Sequence, residues 1–443
     1  MSNEQLSING YSSYKDSGVE WLGEIPEHWK VRRMKEVIIG ALNYGANETA
    51  IDSNPKHPRF IRITDFSENE QLKQETFKSL PPEIAQKYLL KEGDILFARS
   101  GATVGKTFHF KNYQGQACHA GYLIKARPNP KIITSDFLSY YTKSSFYNTW
   151  KSQVLIKATI ENISAEKYSF FLFIPLPLLS EQKAIADYLD TKSAEIDRKI
   201  DLLTQKAQRY EELKTALINE TVTRGLDKSV PMKDSGIEWI GQIPEHWQVV
   251  RINDIAIQQK IKNIDLKERN LLSLSYGKIK RKDFDTSFGL LPESFETYQI
   301  IERGNIILRL TDLQNDKRSL RVGFTPENGI ITSAYLCLKI LRKVYPHFAY
   351  YLLYSYDVAK VFYWFGGGLR QSMKFDDIKI FPFIIPPLSE QKEIADYLDA
   401  KSAEIEQIIQ TIKTQIEKLK ELRKTLINDV VTGKIRVTDI NTD

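Results

Sequence analysis

Apolar residues recur at helical spacing over two long stretches of the chain. In the first they fall at Ile185, Leu189, Ile196, Ile200, Leu203, Ala207, Tyr210, Leu213 and Leu217, mostly three or four apart. In the second they fall at Ile394, Leu398, Ile405, Ile409, Ile412, Ile416, Leu419, Leu422 and Leu426, each at an offset of 209 from its counterpart. This spacing is that of a coiled-coil seam. A shared register predicts that the two helices pair with each other, and the globular block between them makes the pairing antiparallel. The alternative is two helices each packed on its own block. Prolines precede Ser180 and Ser389 (Pro175 and Pro177; Pro386 and Pro387), which suits these serines as N-caps, with Gly225 and Gly433 as stops. Roughly 43 residues at ~1.5 Å each predict a rod of about 65 Å.

Between the helical stretches the pattern shortens. The runs Phe60–Phe66, Asp94–Ser100, Gly121–Arg127, Asn305–Leu310 and Ala334–Ile340 are rich in β-branched and aromatic residues and bounded by turn formers, so they predict strands. Asp136–Lys151 and His347–Trp364 predict aromatic-rich helices whose rings serve the core. The blocks are therefore α+β.

The chain also repeats itself. KDSGVEWLGEIPEHWKV (Lys15–Val31) returns as KDSGIEWIGQIPEHWQV (Lys233–Val249), and SEQKAIADYLDTKSAEI (Ser180–Ile196) returns as SEQKEIADYLDAKSAEI (Ser389–Ile405). The segments between these matched ends are dissimilar. Drift after duplication would blur ends and middles alike, so a shared frame carrying two different recognition surfaces is the better reading. The organisation expected is a first block at 1–174, a long helix at 175–226, a second block at 227–384, and a long helix with its tail at 385–443.

Charge sharpens this picture. The chain has 443 residues and a net charge of +6, but Lys30–Phe170 alone carries +8 and Arg251–Ile380 carries +7, leaving −9 elsewhere. A polyanion is drawn to the blocks and not to their connectors. With 27% charged and 42% hydrophobic residues, composition excludes a wholly disordered or fibrous chain. No apolar run reaches membrane-spanning length, the N-terminal residues lack a secretory h-region, and the two cysteines (Cys118, Cys337) form no disulfide framework. A cytoplasmic setting without membrane partners is expected.

Gly101-Ala-Thr-Val-Gly105-Lys106-Thr107 has three residues between its glycines where a P-loop needs four. The six histidines are scattered, without HExxH or CxxC, so no metal site is expected. Asn54-Pro55 and Asn129-Pro130 do not complete the Asn/Asp-Pro-Pro-aromatic loop of an adenine methyltransferase. Catalysis by this chain, and a cofactor of its own, are not expected.

Taken together, EWIGQIPEHW, a divergent block, then PLSEQKEIADYLD leading into a coiled-coil helix, all occurring twice, resembles the specificity subunit of type I restriction–modification systems. The resemblance covers nearly the whole chain. It implies two globular α+β target-recognition domains separated by two long helices that form an antiparallel coiled coil, with a pseudo-two-fold internal repeat. Each domain would read one half of a split double-stranded DNA target, and the helices would dock two modification subunits that bind S-adenosylmethionine and methylate adenine. Motor-nuclease subunits using ATP and magnesium can join such assemblies, and the specificity subunit itself is non-catalytic. The competing readings are a duplicated DNA-binding scaffold without sequence preference and a fused DNA-modifying enzyme.

Polar residues near predicted loops are the DNA-binding candidates. In the first block these are Arg62, Thr64, Arg99, Ser100, Thr103, Lys106, Lys157 and Asn162. In the second they are Tyr276, Lys278, Lys280, Arg309, Lys317 and Arg318, with Gly367, Arg370, Gln371 and Ser372 in a glycine-rich loop that permits close approach. The helix seam is placed at Ile196, Ile200, Leu203, Ala207 and Tyr210, and at Ile405, Ile409, Ile412, Ile416 and Leu419. The repeated Trp21, Trp29, Trp239 and Trp247 suit either partner docking or a structural role; the structural role is favoured.

Overall fold

The computed structural model describes residues 10–50, 52–67, 72–156, 162–284, 294–313, 320–365 and 372–437. The chain forms two compact units, Met1–Leu202 with Gln415–Asp443, and Leu203–Thr414. Their boundaries fall inside two long helices, Leu179–Arg224 and Leu388–Val431, so each unit takes a portion of both.

In unit 1 the repeated motif folds as a hairpin, Tyr14–Asp16 with Glu24–Pro26. The chain then enters the block through Lys30–Arg33, which pairs antiparallel with the exit strand Phe173–Leu176. Inside this closed loop lies a four-stranded antiparallel sheet in the order Asn43–Tyr44, Leu123–Ala126, Asp94–Ala98, Thr107–Phe110. Helices Ser135–Tyr141, Ser145–Ile156 and Ala165–Phe171 follow it. Phe97, Ile124, Phe137, Tyr141, Tyr147 and Trp150 join Ile185 and Leu189 of the first long helix in one core. The predicted run Phe60–Phe66 is a strand only at Arg59–Ile61; the Asp65 carboxylate accepts the Arg62 amide at 2.7 Å and turns Ile63–Asp65 into a 3-10 helix.

Unit 2 repeats this plan, with the same motif in its hairpin and dissimilar residues in its block. Met232–Asp234 pairs with Gln242–Pro244, and Gln248–Arg251 pairs with the exit strand Pro382–Ile385. Its four-stranded sheet has the same spatial logic: Ala256–Gln259, Leu336–Ile340, Ile306–Leu308, Val322–Phe324. Helices Pro346–Val358, Val361–Phe365 and Phe375–Ile378 complete the block. Dissimilar sequences thus give the same central sheet order and the same closing strand pair, while the remaining strands differ: a parallel pair, Arg59–Ile61 with Ala117–His119, in unit 1, and an antiparallel sheet of Ile261–Lys262, Gln299–Ile301 and Gly329–Ile331 in unit 2.

Within each unit the long helices pack antiparallel. In unit 1, Ile185 and Leu189 share a core with Ile427, Val430 and Val431, while Asp197 pairs with Arg423. In unit 2, Ile218 and Val222 share a core with Ile394 and Leu398, while Lys214 pairs with Glu406. Ile196, Ile405, Ile409 and Ile412 are buried, and Ile200, Leu203, Ala207, Tyr210, Ile416 and Leu419 are half-buried. Leu213 and Leu422 depart from the predicted seam; both are 53% exposed. A 3.6-residue turn drifts against a 3.5-residue repeat, so the buried stripe passes to Ile218 and Ile427 instead.

The helix starts differ from the expected caps. The helices begin at Leu179 and Leu388, so exposed Ser180 and Ser389 lie one residue inside them. The carbonyls of Leu178 and Pro387 accept from the amides of Gln182 and Gln391. Gly225 and Gly433 stop the helices in the left-handed region, both at φ 75°.

Candidate nucleic-acid interface

The repeated motifs are explained by contacts between them. Glu181 in the first turn of the first long helix accepts from the Trp29 indole at 3.1 Å and from the Tyr11 hydroxyl at 2.5 Å, and faces His28 at 2.8 Å. Glu390 does the same with Trp247 at 3.1 Å and His246 at 2.9 Å. The next residue also acts in parallel. Gln182 accepts from the amide of Thr134, and Gln391 from the amide of Tyr345, each at 2.8 Å, just ahead of a block helix. Asp190 then accepts from Tyr140, and Asp399 from Tyr351. Asn428 takes the amide of Ser145 and Asn219 the hydroxyl of Ser355. One set of polar pins therefore fixes each block to its helix pair. Trp29 and Trp247 are fully buried by this arrangement, so neither ring has surface to offer a partner. Trp21 and Trp239 are half-buried against the same cores.

The frame places variable residues at equivalent ends of the two sheets. In unit 1, Arg99 follows the central strand Asp94–Ala98. Its amide donates to the Tyr122 carbonyl and its carbonyl accepts from Ile163. Ser100 bridges to Asn162, and the turn Gly101–Lys106 brings exposed Thr103 and Lys106 to the same end. Arg99, Ser100, Thr103, Lys106 and Asn162 are thus gathered. Arg62 sits on a separate turn and is committed to Asp65 and the Thr76 carbonyl, each at 2.7 Å; Thr64 beside it is exposed. Lys157 lies outside the described residues.

In unit 2, Arg309 follows the central strand Ile306–Leu308, and the amide of Met373 donates to the Leu310 carbonyl, which puts exposed Ser372 at that end. A hairpin, Leu272–Ser275 with Lys278–Arg281, carries Tyr276 at its tip. Tyr276 is 76% exposed and, like Gly277, has positive φ, as the two-residue turn requires. Lys280 on that hairpin is exposed, whereas Lys278 reaches Glu406 of the second long helix at 2.7 Å. Half-burial works against the Glu406 charge, but Lys214 and Lys278 hold its pKa below the usual carboxylate range. Lys278 is therefore a tether as much as a cationic surface. Lys317, Arg318, Gly367, Arg370 and Gln371 lie outside the described residues.

Sequence reasoning missed several organising groups. Arg321 is fully buried and donates to the carbonyls of Arg309, Thr311 and Asp312 and to the Tyr363 hydroxyl, shaping the strand-end loop. Nearby Asp357 is pushed up to about 6 by burial. Tyr44 and Tyr122, exposed beside Arg99, carried no periodic or motif signal. Glu181 and Glu390 did carry one: their identity in both copies of SEQK. Cys118 and Cys337 are buried, with thiols pushed up to about 12 by desolvation, which disfavours the reactive thiolate. Among the described residues no group of three His, Cys, Asp or Glu is placed to hold a metal ion, and no helix is long and apolar enough to cross a membrane.

The family model of the type I restriction modification DNA specificity domain matches residues 26–211 and again 244–418. The chain belongs to this family. It carries two specificity domains, the elements by which type I systems recognise DNA targets. Its relatives include a Methanocaldococcus jannaschii protein assigned as the MjaX type I specificity subunit, 27% identical over 443 residues and covering 94% of this chain and 96% of the relative. The type I restriction enzyme StySPI specificity subunit of Salmonella potsdam is 22% identical over 436 residues, covering 93% and 90%. Among solved structures, the HsdS subunit from Thermoanaerobacter tengcongensis shares the fold with a TM-score of 0.53 at 14% identity, covering 93% of this chain and 98% of that one. A chain from a structure of type I restriction–modification assembly and conformational transition gives a TM-score of 0.69 at 13% identity, covering 92% and 98%. Membership of the specificity family implies DNA and methyltransferase partners.

Proposed function

We propose that this chain is the non-catalytic, target-reading subunit of a type I restriction–modification complex. Each unit reads one half of a bipartite double-stranded DNA site, and the helices dock two adenine methyltransferase subunits. S-adenosylmethionine belongs to those partners, and ATP and magnesium to motor-nuclease subunits where these join. The observation that supports this reading is the duplicated frame. Matching pins, Glu181 and Glu390 foremost, hold blocks with the same central sheet order, while most of the residues gathered at the sheet ends differ. A frame built twice with unlike surfaces suits a target of two unlike halves. Cationic side chains supply affinity for phosphates, and polar groups meeting base edges supply sequence preference. The long helices, which contribute to both units, set the spacing of the half-sites.

Methylation mapping in cells expressing the chain with its modification subunit tests this. A split adenine-methylated sequence is expected. Replacing Arg62–Phe170 by a foreign block changes one half of that sequence only; a change in both halves refutes modular reading. Inserting about seven residues after Leu213 lengthens the spacer, and unchanged spacing with full activity refutes the ruler role.

A further inference from the structure

Arg99 is held unlike an ordinary surface arginine. Its backbone is hydrogen-bonded on both sides, to Tyr122 and Ile163, so it extends the central strand and does not ride on a free loop. Its guanidinium lies 4.8 Å from the centre of the Tyr44 ring. Its Nε donates to the Asn162 side-chain oxygen at 3.4 Å. Both supports are themselves fixed. Tyr44 pairs with Ile124 in the sheet, and its hydroxyl accepts from the Ala165 amide at 3.0 Å; Asn162 bridges to Ser100. Among the described residues no group takes the two terminal nitrogens of Arg99, and Tyr122 beside it is 64% exposed.

This geometry favours one of two kinds of DNA contact. A phosphate can take a bidentate fork as well, but its tetrahedral, swivelling oxygens accept a fork from many directions and are equally served by an unsupported lysine. A ring beneath the guanidinium and an acceptor on Nε fix the plane of the fork, which is of most use to a flat ligand with two acceptors at set positions. In the major groove guanine presents such a pair, O6 and N7, whereas adenine presents one acceptor and one donor. We propose that Arg99 reads a guanine in the half-site of unit 1, with Tyr44 and Asn162 as its positioning residues. The assignment rests on the DNA-specificity reading above and goes beyond it by naming the residue and the base.

The test uses the full chain assembled with its methyltransferase subunits and the duplex defined by methylation mapping. Each guanine of the unit 1 half-site is replaced singly by 7-deazaguanine, which removes N7 without altering charge. One replacement should weaken binding about 5- to 150-fold. Arg99→Lys should lose preference at that same base pair, become insensitive to the 7-deaza change, and keep its affinity for random duplex. Tyr44→Leu and Asn162→Ala should relax preference at that pair and no other, while Tyr44→Phe, which keeps the ring, retains most of it. A half-site without guanine, or wild-type binding indifferent to every 7-deaza replacement, overturns the assignment. So does Arg99→Ala weakening target and random duplex alike with a salt slope reduced by about one, the mark of a phosphate contact. An assembled complex with no target preference at all would instead remove the specificity reading on which the assignment stands.

Discussion

Removing Glu181 should cost more than removing its repeat counterpart Glu390. Glu181→Ala strands the Trp29 indole N–H, whose ring has no exposed surface. A buried donor left unpaired costs about 1–3 kcal/mol. The same change releases the Tyr11 hydroxyl, bound at 2.5 Å, worth about 1 kcal/mol. The bond to half-exposed His28 adds less than about 1 kcal/mol. These contributions overlap, so about 3–4 kcal/mol is expected. Glu390 has no tyrosine partner because Ser229 stands where the repeat places Tyr11. Its side chain is also 23% exposed against 7% for Glu181, so water can reach the stranded Trp247 donor. Glu390→Ala should therefore cost about 1–2 kcal/mol, and Tyr11→Phe about 1 kcal/mol in unit 1 alone. Denaturant unfolding of the full chain, followed by tryptophan emission and by protease protection of each unit, measures the three variants. Equal costs for the two glutamates, or a larger cost at Glu390, would refute the argument that burial and Tyr11 set the difference.

Burial pushes His119 of unit 1 down to about 4, so the native state keeps it neutral while the unfolded chain binds a proton near 6.5. Stability of unit 1 should fall as pH drops from about 6.5 toward 4, by up to roughly 3 kcal/mol from this group; thermal unfolding across that window should show the loss, and His119→Gln should reduce it, with buried His109, also pushed down to about 4, carrying a remainder. An alanine Cβ at Gly433 would lie 2.5 Å from Pro26 Cδ, on a backbone with φ 75°. Gly433→Ala should thus destabilise unit 1 by more than about 2 kcal/mol in denaturant titrations. Leu213→Gln should change stability by less than about 0.5 kcal/mol, whereas Ile218→Ala should cost about 2–4 kcal/mol; equal effects would show that the seam does not drift. Arg321→Leu should uncover three loop carbonyls, cost about 3–5 kcal/mol at roughly 1–3 kcal/mol for each unpaired buried acceptor, and impair only the half-site read by unit 2 in methylation mapping.

The sequence by itself determined the duplicated frame, the two long helices, their antiparallel pairing and the cationic character of the blocks. Those features are written in short-range patterns: a 3.5-residue stripe, matched end motifs and net charge. It also located Arg99, Ser100, Thr103, Lys106 and Asn162, though only as separate candidates. Tertiary structure decided the rest, for reasons of distance along the chain. Glu181 meets Trp29 across 152 positions, and no local rule links them. Arg62 and Lys278 looked like free cations until folding brought Asp65 and Glu406 to them. Leu213 and Leu422 read as seam residues because periodicity cannot see the accumulated drift of a real helix against its partner. Tyr44 gained its place beneath Arg99 only when Asn43–Tyr44 and Asp94–Ala98 flanked the same strand, Leu123–Ala126. Pattern sets which elements form; the contacts that orient a side chain for recognition come from residues far apart in the chain, and those exist only once it has folded.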